Sequence, residues 1–467
     1  MARTHTASLY IGAEGEATLD TAVDTFDGYH VVLDCFEAGT PFTFTFYRSE
    51  AALSSWSRIR ARARVGAPVI FRIDGILVFN GHIEELEEVV DRGGSGSGAH
   101  LVVKGRDLVG KARDWDADPA TAFQGLSLYD GCERVLSRLG LDVTLGVDAD
   151  LARELQAGKL RSSRTLHARA GNRGGRRQGV RRDPNGRIIR PDGGGRGHGV
   201  RRDPNGQAIR ATGSNARRGS HHRVDRMHPR AGEKMWQLCE QMVRRAGLWM
   251  WTCPMDSADH LGVVIGSFDY QHDSGFSFVR EREPFAGQNT GNVLWSSERV
   301  STRTVPTEVR VFGHCALGDK HVFRYGAVHP TPGTTNDLLT NDRITRGRVH
   351  VPHPHQPVFH KSRTARTYAE SDQEAQRMYA KAMMTARVYS CVVAGHGENV
   401  RNEGFRLYHH NTTAPVRDDE IGINERMFLH RVEFMGKRGS SGEVGTSTRL
   451  TFVPLEAVQL SRLLVEP

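Results

Sequence analysis

The sequence lacks the features that mark secreted, membrane-spanning or disulfide-bonded proteins. No hydrophobic run reaches the length that a transmembrane helix needs, and no apolar stretch follows the basic start of the chain, so no secretion signal is predicted. The six cysteines are scattered without a CxxC pair. This spacing predicts reduced, mostly buried thiols in a chain made in a cytoplasm.

Catalytic and metal-binding signatures are also missing. The chain contains no GxSxG elbow and no HExxH helix, although a carboxylate pair formed by distant residues leaves no mark in sequence. The histidines between 350 and 360 are interleaved with three prolines, which favours an extended surface loop over a metal site. We therefore predict no enzymatic activity, no catalytic residues, no cofactor and no metal.

One short stretch has the spacing of a phosphate-binding loop. Gly105 to Lys111 reads GxxxxGK after a strand-like run. However, Ala112 stands where the magnesium-binding hydroxyl should be, and Asp107 would place a carboxylate in the phosphate cradle. No helix is predicted to follow, so we interpret this stretch as a strand that ends in a turn.

Positive charge is concentrated in one segment. The chain of 467 residues has a formal net charge of +9, and Lys159 to Arg230 contain 20 Lys and Arg against four Asp, a net charge of +16. The remainder therefore carries a net charge of −7, the difference between +9 and +16. The segment contains GVRRDPNG twice, 20 residues apart, and no aromatic residue between Lys159 and Trp236. That absence argues against a platform for stacking single-stranded bases.

The role of this basic insert, residues 160–228, has two open interpretations. It is either an arginine-rich arm that contacts DNA phosphates, an acidic partner or an anionic envelope surface, or a tolerated, solvated loop expansion. The candidate interaction residues are Arg176, Arg177, Arg181, Arg182, Arg187, Arg190, Arg201, Arg202, Arg210, Arg217 and Arg218.

Outside the insert, β-strand patterns dominate both ends of the chain. The 51 glycines indicate many turns, and PFTFTFY alternates as a half-buried strand does. Asp74-Gly75 separates two strand-like runs and predicts a hairpin. A second hairpin surrounds the Gly/Ser-rich turn at 92–98, and the closing residues repeat this plan around the Gly/Ser-rich turn near 440.

Helical patterns occur at three places. Two apolar stripes at helical spacing lie on either side of the insert, and a capping box of Ser371 and Glu374 predicts a third helix over 371–390. The two stripes consist of Leu128, Cys132, Val135, Leu136 and Leu139, and of Met235, Trp236, Cys239, Met242 and Val243.

These patterns predict a mainly β protein, α+β overall. Two similar antiparallel β-barrel modules flank a small α+β domain that carries the long basic loop insertion. The predicted domains are 1–115 for the first tube-like module, 116–285 for the small domain with the insertion at 160–228, and 286–467 for the second tube-like module.

The order of segments resembles the baseplate hub family of contractile-tailed, Mu-like bacteriophages, which is related to the N-terminal hub module of VgrG proteins. The resemblance covers nearly the whole chain except the insert, and FRLYHHNTTAPV departs from the family's tryptophan-bearing turn. The stretches that carry it are VGAPVIFRIDGILVFNGHIEELEE, Gly105-Arg106-Asp107, FQGLSLYDGCERVLSRLGLDV, HPRAGEKMWQLCEQMVRRAGLWMW, NVLWSSERVSTRTVPTEVRVFGH, and APVRDDEIGI through RLTFVPLEA.

The resemblance implies a structural role without catalysis. It implies a homotrimer that adapts a six-fold tail tube to a three-fold central spike, because two similar modules in each of three copies imitate six-fold symmetry. Expected partners are the tail tube protein, the spike, the wedge proteins and the DNA or tape-measure protein that passes through the lumen. The expected location is the virion baseplate, assembled in the host cytoplasm. The alternatives are a hub-associated cell-wall hydrolase and a DNA-binding protein that acts through residues 160–228.

Overall fold

A computed structural model provides the three-dimensional description of the chain. The described residues are 5–12, 22–23, 26–48, 53–91, 98–119, 126–146, 229–245, 248–254, 261–268, 273–282, 291–301, 303, 305–306, 308–314, 323–327, 357–362, 368–400, 404–438 and 444–462.

Antiparallel strands dominate the fold, which confirms the predicted mainly β class. Thirteen of the described strands form one continuous sheet, with separate sheets of three, three and two strands. The strands are β1 (Ala7–Ile11), β2 (Ala22–Val23), β3 (Gly28–Asp34), β4 (Pro41–Tyr47), β5 (Pro68–Ile73), β6 (Ile76–Asp91), β7 (Gly98–Asp107), β8 (Asp142–Gly146), β9 (Trp249–Pro254), β10 (Leu261–Gly266), β11 (Phe278–Arg280), β12 (Val293–Val300), β13 (Glu308–His314), β14 (Phe323–Ala327), β15 (Pro357–Lys361), β16 (Arg387–Ala394), β17 (Gly397–Val400), β18 (Gly404–Leu407), β19 (Thr412–Asp418), β20 (Ile423–Arg438) and β21 (Val444–Pro454).

Helices are fewer, and they lie mostly at the ends of strands. The described α-helices are α1 (Leu53–Arg62), α2 (Leu108–Asp114), α3 (Leu128–Leu136), α4 (Met235–Arg245), α5 (Tyr368–Ala386) and α6 (Leu455–Arg462). The hairpin predicted at Asp74-Gly75 is confirmed between β5 and β6, where the two residues have φ angles of 50° and 81°. Glycine is favoured at the second position because positive φ is strained for other residues.

The large sheet contains the same arrangement twice. In each case a 16-residue strand pairs with the strand before it and the strand after it, and a helix begins where that last strand ends. We call β3, β4, β5, β6, β7 and α2 the first repeat, and β12, β16, β19, β20, β21 and α6 the second repeat. The order of paired strands is the same in both.

Strand register gives the residue correspondence between the repeats. Both 16-residue strands shift register against the following strand at one position, at Glu84 in β6 and at His430 in β20. Next to that β-bulge, four strands align in one row of directly opposed residues. The rows are Ile83–Gly105–Phe42–Val31 in the first repeat and Leu429–Phe452–Tyr389–Glu298 in the second.

The repeats are joined edge to edge within one chain. Residues 431–437 of β20 pair antiparallel with β3, so that Glu433 lies opposite Val32. Gly436 is required at this junction, because a Cβ there would come within 2.0 Å of the Tyr29 ring. The opening and closing parts of the chain therefore share one sheet. The predicted domain bounds themselves stay a prediction.

Aromatic side chains fill the core of the first repeat. Phe42, Phe44 and Phe46 alternate along β4, and all three are buried, as the period-two pattern predicts. The Phe42 ring stacks on Phe79 with 4.6 Å between ring centroids. The burial of these aromatic rings is the main favourable contribution to the stability of this core.

The second repeat has charged and polar groups at buried positions that correspond to core positions of the first repeat. Arg387 is fully buried, and its Nε donates a hydrogen bond to Glu298 Oε1 at 2.7 Å. Arg387 also pairs with Glu425. Tyr389, which corresponds to Phe42, donates its hydroxyl hydrogen to Asp418 Oδ2 at 3.0 Å. The two repeats thus share a backbone plan and one hydrophobic core, and the second repeat adds buried polar and charged pairs to it.

The middle of the chain forms a small α+β unit. β10 pairs parallel with β8 and antiparallel with β9, and α3 contacts both α4 and β8. The predicted helices are confirmed, with a capping box of Ser127 and Asp130 at the start of α3. Nine of the ten stripe residues are buried, and Leu139 packs half-buried against them.

Helix α5 differs from the sequence prediction at both ends. The predicted range was 371–390, but α5 spans Tyr368–Ala386. Arg387 begins β16, which pairs with β12 and β21, so sheet pairing ends the helix four residues early. Glu374 lies inside the helix and pairs with His360, with 3.2 Å between Oε1 and Nε2.

Strand β11 pairs parallel with β19 and so belongs to the large sheet.

Candidate functional site

The arginines predicted to interact with partners lie outside the described residues. This holds for all of the residues from Arg176 to Arg218, for the whole basic insert, and for His350, His353 and His355. The role of the insert therefore stays a prediction. Among the described residues, no group of three or more His, Cys, Asp or Glu could hold a metal ion. No described helix is long and apolar enough to cross a membrane.

In the stretch from Gly105 to Lys111, the side chain of Asp107 occupies the place where a phosphate would bind. The expectation that no helix follows it is wrong, because α2 begins at Leu108 directly after β7. Asp107 caps this helix, and its Oδ1 accepts a hydrogen bond from the Gly110 N–H at 3.1 Å. Burial raises the pKa of Asp107 to about 6. The carboxyl group thus occupies the helix end, and this agrees with the rejection of a phosphate loop.

The solvent face of the large sheet, opposite the aromatic core, carries paired charges. Glu433 on β20 lies 3.1 Å from His30 Nε2 and 2.9 Å from Arg431 Nε. Burial raises the pKa of Glu433, but the hydrogen bond to His30 and the charge of Arg431 outweigh it and lower the pKa overall. Lys104 on β7 pairs with Glu85 at 2.8 Å. Neighbouring strands thus present cations and anions that largely neutralise one another.

A shallow groove marks the junction of the two repeats on this face. Its volume is about 510 Å³. The residues that line it belong to β3, β4 and β20 and the residue before β3; they are Asp27, Gly28, Tyr29, His30, Thr43, Thr45, Tyr47, Gly436 and Lys437. This open surface suits contact with a large partner better than enclosure of a small substrate.

The two long strands differ in what covers their outer edges. Residues 431–437 of β20 are covered by β3, whereas the corresponding residues 85–91 of β6 pair with β7 alone among the described strands. At the far end of the sheet, β12 pairs with β16 alone in the described part of the chain. Val90, Leu294 and Trp295, on these two edges, are 61%, 64% and 46% exposed. Open edges with apolar side chains are typical of surfaces that pair with another strand.

A buried polar cluster links the N-terminal strands to the second repeat. The Tyr29 hydroxyl lies 2.5 Å from His396 Nε2, and His396 Nδ1 lies 2.9 Å from Thr448 Oγ1. Next to it, His5 Nδ1 lies 2.7 Å from Asp74 Oδ2. Burial, followed by the charge of His5, lowers the pKa of His396 to about 3. A neutral imidazole therefore bridges the repeats at neutral pH.

This fold, two repeats in one sheet with a small α+β unit between them, superposes on solved tail proteins over nearly the whole chain. A 43 kDa tail protein of prophage MuSo2 from Shewanella oneidensis superposes with a TM-score of 0.60 at 13% identity, over 97% of this chain and 99% of that one. A tail protein from Neisseria meningitidis gives 0.59 at 16% identity, over 98% and 99%.

The chain therefore has the fold of Mu-like prophage tail proteins, which confirms the expected fold. The likeness is weaker for a chain of the Francisella PdpA–VgrG complex, with a TM-score of 0.45 at 6% identity over 97% of this chain and 59% of that one. The sequence matches no protein-family model and no curated protein.

Proposed function

We propose that the protein is a non-enzymatic structural component of a phage-type tail, the hub of its baseplate. The observation that carries the proposal is the duplicated strand arrangement, with the same strand order, the same bulge position and the same terminal helix. Three such chains in a ring present six similar wall segments, and this matches a six-fold tube on one side to a three-fold spike on the other. The fold shared with two solved tail proteins supports the same role.

The two ends of the sheet are suited to different partners. At one end, β6 pairs antiparallel with β7 in the first repeat and β20 pairs antiparallel with β21 in the second, so both repeats place the same two hairpin strands there. At the other end, α2 and α6 begin, and α2 contacts α4 of the single small unit. The hairpin end is thus built alike in both repeats and suits the six-fold tail tube. The helix end, which differs between repeats, suits the three-fold spike and the wedge proteins.

In this assembly the solvent face of the large sheet lines the channel. Its charges are arranged in pairs, such as Lys104 with Glu85 and Arg431 with Glu433. A surface with balanced charges binds DNA phosphates weakly, because few counterions are released on contact. DNA or a tape-measure protein would therefore pass without being retained. The basic insert belongs on the periphery, away from the channel. The expected location is the virion tail baseplate.

Mass photometry of the purified chain tests the proposal. We expect particles of three times the 51.8 kDa chain mass at micromolar concentration, and axial projections with six similar lobes. A chain that stays monomeric, with and without tube and spike proteins, would contradict it.

The charge of the insert keeps DNA binding as a second candidate function. Residues 159–230 carry a net charge of +16. If this segment binds DNA, deleting 160–228 should abolish a salt-dependent gel shift. An unchanged shift would end this alternative.

A further inference from the structure

We infer that neighbouring copies of this chain join by antiparallel pairing of β12 in one copy with residues 85–91 of β6 in the next. This inference rests on the proposed ring assembly and specifies its contact. The evidence is an internal template, since the chain already makes the corresponding contact once, between β3 and β20.

The template defines which edges meet. In the second repeat, residues 431–437 of β20 are covered by β3, the outermost strand of the first repeat. The strand that corresponds to β3 in the second repeat is β12, and its outer edge carries no other described strand. The stretch that corresponds to 431–437 in the first repeat is 85–91 of β6. Each copy therefore has one completed strand pairing, between β3 and β20. It also carries the two edges of a second such pairing, on β12 and on residues 85–91 of β6.

The two β-bulges show which residue of β6 corresponds to which residue of β20. The register of the β3–β20 pairing therefore predicts the register between β12 and β6. Glu433 corresponds to Glu87, because both lie three residues after the bulge. Val32 corresponds to Arg299, because the opposed rows align Val31 with Glu298. The template pair Glu433–Val32 therefore predicts that Glu87 of one copy faces Arg299 of the next. By the same count Leu86 faces Val300 and Val89 faces Ser297.

The side chains agree with this register. Leu86 and Val300 reproduce the apolar template pair of Val432 and Leu33. Glu87 and Arg299 add an opposite-charge pair, which is favourable across antiparallel strands. Glu88 would lie opposite Glu298, but each has its own arginine, Arg60 at 3.2 Å and Arg387 at 2.7 Å.

Burial supports the same conclusion. Five of the seven residues of β3, the covered strand, are buried, whereas every residue of β12 keeps some exposed surface, although the side chain of Glu298 itself is only 2% exposed. β3 pairs with both β4 and β20, whereas β12 pairs with β16 alone among the described strands. A second copy of β6 would supply that cover and would also bury Val90 and Trp295, which are 61% and 46% exposed.

Disulfide trapping tests the register. A chain with Val89→Cys and Ser297→Cys should form cross-links between copies under oxidising conditions, because directly opposed residues meet disulfide geometry. The matched control carries Glu85→Cys with Ser297→Cys. It moves one thiol four residues along β6, about 13 Å away, and should not cross-link. The single-cysteine variants measure any background from the native thiols.

Charge reversal provides an independent measurement. Glu87→Arg and Arg299→Glu should each raise the concentration at which half of the chains assemble, by roughly threefold or more, and the double variant should largely restore it.

The outcomes separate this contact from the ring itself. Trimers that cross-link at 89 and 297 but not in the control support the pairing. Trimers without that cross-link, or with equal cross-linking in the control, overturn the pairing and leave the ring intact. Variants that assemble like the unmodified chain after charge reversal overturn the predicted contact between Glu87 and Arg299. A chain that never assembles overturns both the pairing and the proposed function.

Discussion

The two repeats have one backbone plan and contribute different side chains to one shared hydrophobic core. The first repeat packs Phe42 against Phe79 with 4.6 Å between centroids, whereas the second buries Arg387 between Glu298 and Glu425. Strand order and bulge position are nevertheless the same. Backbone pairing and register thus define this fold, and different side-chain chemistry can fill it provided that every buried polar group has a partner.

The residues that stabilise each repeat are different from the residues proposed to join neighbouring copies. The residues that face the proposed neighbours lie on strand edges, and the residues that differ most lie in the core. A ring needs six similar edges, but it does not need six similar interiors. Substitutions at buried positions of the two repeats test this separation.

The largest effect is expected from breaking the buried ion cluster of the second repeat. Arg387→Leu leaves Glu298 buried without its cation, and the loss of a partner from a buried pair costs about 3–5 kcal/mol. The melting temperature at fixed protein concentration measures it. Arg417→Leu, which removes an exposed pair with Asp419, is the control and should change little. Equal losses in both variants would contradict a structural role of the cluster.

A second comparison uses the aromatic core of the first repeat. Phe42→Ala should cost about 3–5 kcal/mol, because it removes a buried ring and leaves a cavity. Tyr47 lies on the same strand but is 53% exposed. Tyr47→Ala should therefore lower the free energy of unfolding much less. Thermal melting of both variants checks this. Combined with Arg387→Leu, the two losses should add if the two sites do not interact through the shared core. A combined loss well below the sum would show that the two sites are coupled.

The smallest effect concerns the polar link between the N-terminal strands and the second repeat. The pKa of His396 is lowered to about 3, chiefly by burial, whereas an unfolded histidine has a pKa of about 6.5. The unfolded state therefore binds the proton first, and stability is lost as the pH falls from about 6.5 towards 3, by at most about 1.4 kcal/mol per pH unit. His396→Asn should flatten the melting temperature between pH 6.5 and 4.5, whereas His100→Asn on β7 serves as the control. Parallel curves for His396→Asn and the unmodified chain would contradict the assignment.

Local patterns predicted the parts of the fold that depend on neighbours in sequence. The stripe of α3, the alternation in β4 and the Asp74-Gly75 turn all follow from residues a few positions apart. Helix α2 was missed because its signal is a single capping residue, Asp107, which was read as an obstacle to phosphate. The end of α5 was misplaced because sheet pairing of Arg387 overrides the helical pattern.

Long-range features left no local mark. The partners Tyr29 and His396 are 367 residues apart, and Glu298 and Arg387 are 89 apart. No sequence pattern singles out any of these four residues, because an isolated Arg or His looks the same in the sequence whether it is buried or exposed. The doubling of the β modules was visible as two similar hairpins. Their joining into one sheet required the pairing of β3 with β20.

That pairing has a consequence for how the chain is made. During translation β3 leaves the ribosome almost 400 residues before the segment that covers it. At common elongation rates the nascent first repeat waits about 20 to 80 s with its edge bare. Premature contact with the β3 edge of another nascent chain on the same messenger would give an entangled, domain-swapped product. We expect chaperones to associate with the nascent first repeat until β20 is synthesised.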